Sequence, residues 1–347
     1  MRCPSIGKVE DPYSARFCLR RSGRQPDGIP PVEGQRMSQA FEHEPVMANE
    51  VVALFGDVPP GLVVDATVGG GGHARALLGA HPQLRVLGLD RDPDALAAAR
   101  TALAPFGERV RLVHDRFDRL ADHVDEPLSG ALFDLGVSSH QLDAAERGFS
   151  YRTDAPLDMR MDRTAGRTAA DVVNEASEGE LARLFAENGE ARFARRIARR
   201  IVASRPIATT GELATVVRDA IPAAARRTGG HPAKRVFQAV RIAVNEELDV
   251  LPGTLDAAVD LLAPGGRCVV LSYHSGEDRI VKERFRHAAT GGCTCPPRLP
   301  CVCGAEPRVR LLTRGARTPS AAEVAANPRA GSARLRAVER LGERNEP

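Results

Sequence analysis

Leu62-Val63-Val64-Asp65-Ala66-Thr67-Val68-Gly69-Gly70-Gly71-Gly72-His73 is a short apolar run that closes on a carboxylate and breaks into four consecutive glycines. A run this short, bounded by a turn signal, predicts a buried strand rather than a helix. The glycines allow a tight turn and a close approach to a ligand, where any Cβ would collide. A helix is expected to open at His73.

Working outward, the alternation of strand and helix continues. Arg85-Val86-Leu87-Gly88-Leu89-Asp90 predicts a second strand, and Pro93 to Arg100 begins an Ala-rich helix with proline near its first position. Val110-Arg111-Leu112-Val113 and Ala131-Leu132-Phe133-Asp134-Leu135 predict a third and a fourth strand. Apolar strands separated by helices imply an α/β fold with a parallel, doubly wound sheet. Between Gly136 and Asn245 the periods are helical. A helix through Leu261-Leu262, the turn Pro264-Gly265-Gly266 and the strand Cys268–Tyr273 then resume the pattern. A connection of roughly a hundred residues far exceeds an ordinary loop, so a helical subdomain is expected inside the sheet domain. The expected organisation is a disordered Arg-, Pro- and Gly-rich extension over 1–36, upstream of Met37. A discontinuous sheet domain over 37–142 and 243–347 follows, with an inserted helical substrate-recognition subdomain over 143–242.

In a doubly wound sheet, ligands bind beyond the carboxyl ends of the strands, near the switch point. Asp90 closes the second strand, about 20 residues after the glycines, where a carboxylate accepts from ribose hydroxyls. The nicotinamide fingerprint G-x-G-x-x-G is absent, since the turn is four glycines followed by His73. With Asp65 before the turn and Asp134-Leu135-Gly136 at the fourth strand, S-adenosylmethionine (SAM) is favoured over NAD. Asp134, Ser138 and Ser139 form a polar acceptor segment at that strand end and are the candidate catalytic residues. An exocyclic cytosine amine is a poor nucleophile because its lone pair is delocalised; acceptors for its N–H hydrogens localise the pair. Methylation at carbon 5 instead needs a cysteine thiolate, and this segment has none. Helix capping or strand-end solvation is the bland alternative for Asp134.

The chain has 347 residues, ordinary apolar content and a net charge of +3, which by itself proves no nucleic-acid partner. No apolar run approaches the roughly 18 residues that span a bilayer, and no apolar segment follows the N-terminal arginines, so a soluble cytoplasmic protein is expected. Lysine occurs only at 8, 234 and 282, which marks the arginine excess as partly codon bias. Arg192, Arg195, Arg196, Arg199 and Arg200 recur at helical spacing opposite Phe193, Ile197 and Ile201 and read as one basic helix face. Arg226, Arg227, His231, Lys234 and Arg235 form a second patch. Each reads equally as a solvated surface or as phosphate contact; Arg192, Arg195, Arg196, Arg199, Lys234 and Arg235 are the candidate RNA-binding residues. Asp158, Arg160 and Asp162 read either as an ion-pair network or as substrate or SAM contacts. His274 and Ser275 end a central strand, where a histidine is either structural or turned to the crevice.

Seven cysteines include Cys293, Cys295, Cys301 and Cys303, arranged as two C-x-C pairs. Zinc knuckles usually space each pair by two or more residues. The alternative is a reduced surface loop held by Pro296, Pro297 and Pro300, and no metal is assigned.

Asp65–His73, Asp134–Ser139, Glu146–Ser150, Pro156–Asp162, Phe237–Ile242, Leu262–Arg267, His274-Ser275 with Glu277–Lys282, and Asn327–Ala330 closely resemble the RsmH/MraW family in its own order, from Glu42 to Arg340. The resemblance implies a Rossmann-like SAM-dependent methyltransferase with a helical insert. It implies methylation of N4 of a decoding-centre cytosine in 16S ribosomal RNA, with the RNA carried in the small ribosomal subunit. By matching motif it implies that Gly71, Gly72 and His73, together with Gly69 of the same turn, line the SAM site. It further implies that Asp90 holds the ribose and Phe117 lies by the adenine, with Asp134 and Gln141 completing the set. His140 stands where the family has proline, Gly276 replaces a larger apolar residue, and 1–36 have no counterpart. Two other readings compete: a SAM enzyme acting on a small metabolite, which predicts an enclosed apolar pocket, and a non-catalytic RNA-binding assembly factor, which predicts a damaged glycine turn.

Overall fold

The computed structural model describes residues 45–226, 231–296 and 302–342. The expected extension over 1–36 lies outside the described residues. Strands β1 (Gly61–Asp65), β2 (Leu84–Asp90), β3 (Val110–His114), β4 (Leu128–Asp134), β5 (Leu262–Ser272), β6 (Val309–Leu311) and β7 (Arg334–Arg340) form one seven-stranded sheet in the order β3-β2-β1-β4-β5-β7-β6. Helices α1 (Ala48–Leu54), α2 (Gly72–Ala80) and α3 (Pro93–Leu103) accompany the first strands. Between β4 and β5 run α4 (Ser139–Asp143), α5 (Ala169–Glu175), α6 (Glu178–Glu187), α7 (Ala194–Ala203), α8 (Thr210–Ala220), α9 (Ala223–Arg226), α10 (Ala233–Asn245) and α11 (Glu247–Leu261). Helices α12 (Ser275–Thr290) and α13 (Ala321–Ala326) follow β5.

The strands alternate faces as a pleat requires. Val63, Leu132, Val269 and Leu271 pack under α1 and α2 with Phe55 and Leu77. Val64, Phe133 and Val270 pack on the other face with Leu255 of α11 and Phe285 of α12. Burial on both faces explains why these strands read as continuous apolar runs.

Two expectations need correction. The sheet is mixed, because β7 runs antiparallel to both β5 and β6. After β6 the chain stays at the carboxyl edge of the sheet through α13, so its return strand must run the other way. Pro264-Gly265-Gly266 is also no turn before a strand. Leu262 already pairs with Leu128, while Arg267 pairs with Gly130, so the three residues form an irregularity inside β5.

Helices between β4 and β5 bury their own core, in which Phe149, Leu181, Phe185, Ile197, Ile201, Leu213, Val236 and Val240 meet. Local sequence starts several of them. Thr168 with Asp171, Ser177 with Glu180 and Thr209 with Glu212 are reciprocal capping boxes.

Candidate active site

The carboxyl ends of β1, β2 and β4 converge where the strand order reverses. Val68 N–H donates to Leu89 O at 2.9 Å, and Gly69 N–H donates to Asp90 Oδ2 at 2.9 Å. Asp90 Oδ1 accepts from Asp92 N–H at 2.9 Å. The glycine turn is therefore tied to the acidic end of β2. Gly71, with φ +84, is the residue before α2, and a Cβ there would stand 3.1 Å from Leu103 Cγ. Backbone conformation and space both demand glycine at this position. The helix opens at Gly72, one residue before the expected start, and presents its first N–H groups at the turn.

Asp134 ends β4, and its backbone N–H donates to Thr67 Oγ1 at 2.6 Å. Its Oδ1 accepts from the Tyr273 hydroxyl at 2.7 Å. Its Oδ2 lies 3.6 Å from His73 Nε2, a charge contact too long for a hydrogen bond. Burial works against the charge on His73, but Asp134 outweighs it and holds the imidazole pKa above its ordinary value. Burial, reinforced by Asp134, raises the Tyr273 phenol well above its usual range, so Tyr273 can only donate here. Burial pushes the Asp65 carboxyl up to about 7, against the pull of His73 and the Thr67 N–H. It lifts Asp90 to about 6, against bonds from Asp92 and Gly69.

Gln141 is buried and joins two parts of the site. Its Nε2 donates to Asp92 Oδ2 at 2.8 Å, and its Oε1 accepts from Ser138 N–H at 3.0 Å. Ser138 Oγ in turn accepts from Gln141 N–H at 3.2 Å. Arg147 NH2 donates to Asp92 Oδ2 at 2.9 Å and to the carbonyls of Arg160 and Met161. Asn245 fixes the same loop, donating to Met159 O and accepting from Met161 N–H. Phe117 follows β3 and meets Phe133 edge-on at 6.3 Å. Asp115 N–H donates to Asp90 O, which anchors this segment beside the end of β2.

Gly69, Gly71, Gly72, His73, Asp90, Asp134, Ser138 and Gln141 thus gather at or just after the carboxyl ends of β1, β2 and β4, with Phe117 just past the end of β3. The side chains of Ser139 and His140 lie outside what the structure describes. Asp158 pairs with Arg160 through two of its guanidinium nitrogens, as the ion-pair reading expects. His274 caps α12, its Nδ1 accepting from Gly276 and Glu277 N–H, which is a structural role. Gly276 suits that cap: a Cβ there would stand 3.1 Å from the His274 ring and 3.3 Å from Leu248. Thr67, Asp92, Arg147, Asn245 and Tyr273 were missed by sequence reasoning. Only Thr67 carried a signal, its place between Asp65 and the glycines.

Arg195, Arg196 and Arg199 lie exposed on α7, whose buried side is Ala194, Ile197, Ala198 and Ile201. Arg192 precedes that helix and lays its guanidinium 4.9 Å over the Phe193 ring. Arg199 pairs with Glu178 at 3.5 Å and Arg235 with Glu190 at 3.6 Å. Glu190 is two residues from Arg192, so the two expected basic patches are neighbours. A cleft of about 670 Å³ between α6 and α7 opens beside Arg192, Arg195 and Arg196. Lys234 is exposed near the start of α10, and Arg227 lies outside the described residues. No helix among the described residues is long and apolar enough to cross a membrane.

Comparison with known proteins gives the chain's relatives. The profile of a family described as the MraW methylase family matches residues 40–341. Ribosomal RNA small subunit methyltransferase H of Thermobifida fusca is 54% identical over 93% of this chain and 99% of its own length. The protein of the same name from Heliobacterium modesticaldum is 52% identical over 87% of this chain and 99% of its own. That from Saccharopolyspora erythraea is 55% identical over 87% and 94%.

Proposed function

The chain belongs to the MraW methylase family, and we propose that it transfers a methyl group from SAM to N4 of a decoding-centre cytosine in 16S ribosomal RNA, on the small subunit in the cytoplasm. The observation that carries this reading is the Asp134 carboxylate, anchored by Tyr273 on one oxygen and facing His73 with the other.

The residues present fit SAM. Among the described residues, Asp65 Oδ2 and His73 Nε2 are buried polar atoms without a hydrogen-bond partner, at the strand end and helix start. Each fits a site that a polar ligand completes. Bound SAM supplies an electrophilic methyl group on a sulfonium. The turn from Gly69 to Gly72 and the first N–H groups of α2 hold the ligand's polar end. Asp90 accepts from ribose hydroxyls, and Phe117 offers an apolar face to the adenine.

On the substrate side, Asp134 accepts an N–H of the exocyclic amine, localising the lone pair on nitrogen. No covalent intermediate with the protein is needed. Positioning of amine and methyl donor in line supplies the larger part of the acceleration. The basic surface of α7, with Arg192, Lys234 and Arg235, supports an RNA partner, and the helical region over 143–242 is the proposed recognition subdomain.

The test is methyl transfer from labelled SAM to small subunits that lack the modification, followed by nucleoside analysis. N4-methylcytidine is expected with the wild type and absent with Asp134→Ala, while SAM binding persists. Label on a small metabolite, with none on subunits or RNA, overturns the ribosomal reading.

A further inference from the structure

We propose that Cys293, Cys295 and Cys303 form a thiolate site for zinc that clips the connection between α12 and β6. The three Sγ atoms lie within 4.8 Å of one another, and those of Cys293 and Cys303 are 3.5 Å apart. A disulfide needs about 2.05 Å, so this is a contact between separate sulfurs. Tetrahedral zinc with bonds of about 2.3 Å sets its sulfurs about 3.8 Å apart, close to the spacing present here.

The loop is built to bring these sulfurs together. Helix α12 ends at Gly291, and Gly291 and Gly292 take φ of +62 and +75 to turn the chain out of the helix. Cys293 N–H donates to Thr290 O. On the return, Arg308 N–H donates to Ala288 O at 2.9 Å, closing the base of the loop just before β6. A Cβ on Gly291 would fall 2.4 Å from Glu306 O, so the outgoing and returning segments are in backbone contact. Cys303 is thereby carried back over Cys293 and Cys295. That answers the objection that C-x-C is too tight: the third sulfur comes from the far side of the loop.

None of the three cysteines is buried, and Val302 beside Cys303 is 89% exposed. A hydrophobic reason for gathering three polarisable side chains at one point is therefore absent. Soft thiolates select zinc over magnesium or calcium, and three of them leave one coordination position for a further donor. Cys301 lies outside the described residues and is not counted in the site.

The experiment uses the full chain, purified under reducing conditions, incubated with zinc, desalted and assayed for metal by mass spectrometry. One zinc per chain is expected, reduced to background in C293S/C295S/C303S. Cobalt in place of zinc should give the intense sulfur-to-metal charge-transfer absorption of a thiolate site in the wild type only. SAM binding by the triple variant, whose substitutions lie outside the SAM crevice, shows that it has folded. Removing zinc with a strong chelator should speed hydrogen exchange across 291–308 and leave SAM affinity unchanged. Wild type that retains no zinc, or that retains as much as the triple variant, overturns the proposal. So does cobalt bound without sulfur charge transfer.

Discussion

The Tyr273 hydroxyl donates to Asp134 Oδ1 at 2.7 Å across 139 positions of sequence. The two residues stand at the ends of adjacent strands, since Asp134 of β4 pairs with Leu271 of β5. Tyr273 stays protonated, and Thr67 holds the backbone of Asp134, so the carboxylate is oriented before any ligand arrives. Its other oxygen, on the His73 side, is the one the proposed chemistry would use. Preorganised acceptors of this kind cost no rearrangement at the moment of reaction.

Tyr273→Phe removes that donor and keeps the ring. A hydrogen bond to a charged group is worth about 1.5–3 kcal/mol, so methyl transfer at saturating subunits should fall about 10- to 100-fold. The loss should appear in kcat, with SAM affinity little changed. Asp134→Ala should cost more, about 100- to 1,000-fold, as removal of an electrostatic group at a reacting centre does. Equal kcat for Tyr273→Phe and wild type would show that the carboxylate needs no anchor.

Asp90 titrates at about 6 in the folded chain. In the proposed binding mode its ionised form accepts from ribose hydroxyls, so SAM binding should release a proton at low pH. Affinity should be flat above that value and weaken as pH falls through it, approaching tenfold per pH unit in the limit of full linkage. Calorimetry across this range checks the sign, and Asp90→Asn should bind weakly with that dependence removed. An affinity that improves on acidification would exclude Asp90 as the ribose acceptor.

Asp65 gives the stability of the ligand-free chain a slope of the opposite sign. Burial raises its carboxyl to about 7, far above the usual carboxylate range. The folded state keeps this proton over a range where the unfolded state has lost it. Its contribution is therefore full below the unfolded value, near 3.9, and is lost as pH rises through about 7, a change on the order of a few kcal/mol. Asp65→Asn should flatten the dependence of Tm on pH over that window. A wild-type slope that persists in Asp65→Asn would assign it to other groups.

Arg147 and Asp92 are an ion pair with side chains only 2% and 1% exposed. Truncating one partner of such a pair leaves a buried charge and costs about 3–5 kcal/mol. Arg147→Met should therefore lower the denaturant midpoint sharply, because among the described residues Asp92 keeps only Gln141 as a side-chain donor. Arg147→Met combined with Asp92→Asn should recover part of the loss. Additive costs in the double variant would mean that the pair is not coupled.

These residues also show what was legible. Strands β1, β2 and β4 were, because both faces are buried and the sequence runs apolar up to a terminal carboxylate. The glycine turn was, because φ and space at Gly71 admit no other residue. Tyr273 was not, since an aromatic at a strand end carries no mark of a partner 139 positions away. Arg147 was hidden by its type: a buried arginine reads as a surface one until its carbonyl partners are seen. Strand β7 escaped because Arg334, Arg336 and Arg340 give it the look of a charged surface segment, although Leu335, Ala337 and Val338 are buried. The convergence of Cys303 on Cys293 depends on a backbone contact at Gly291 that no spacing rule contains.

The arginines beside the helical cleft differ in what they have left to offer RNA. Arg199 and Arg235 already face Glu178 and Glu190. Contact with phosphate would have to compete with those carboxylates. Arg195 and Arg196 are exposed on the same helix, and Arg192 is steadied over the Phe193 ring. Each arginine that neutralises a phosphate adds about one to the slope of log affinity against log salt. R192A/R195A/R196A should therefore lower that slope by about three for small-subunit binding, whereas Arg199→Ala should lower it by less than one. Because these groups lie on the proposed recognition region and not at the proposed reacting centre, KM should rise while kcat at saturation is kept. A triple variant with the wild-type salt slope would return α7 to the role of a solvated surface and leave Lys234 and the ends of α10 as the place to look for the RNA backbone.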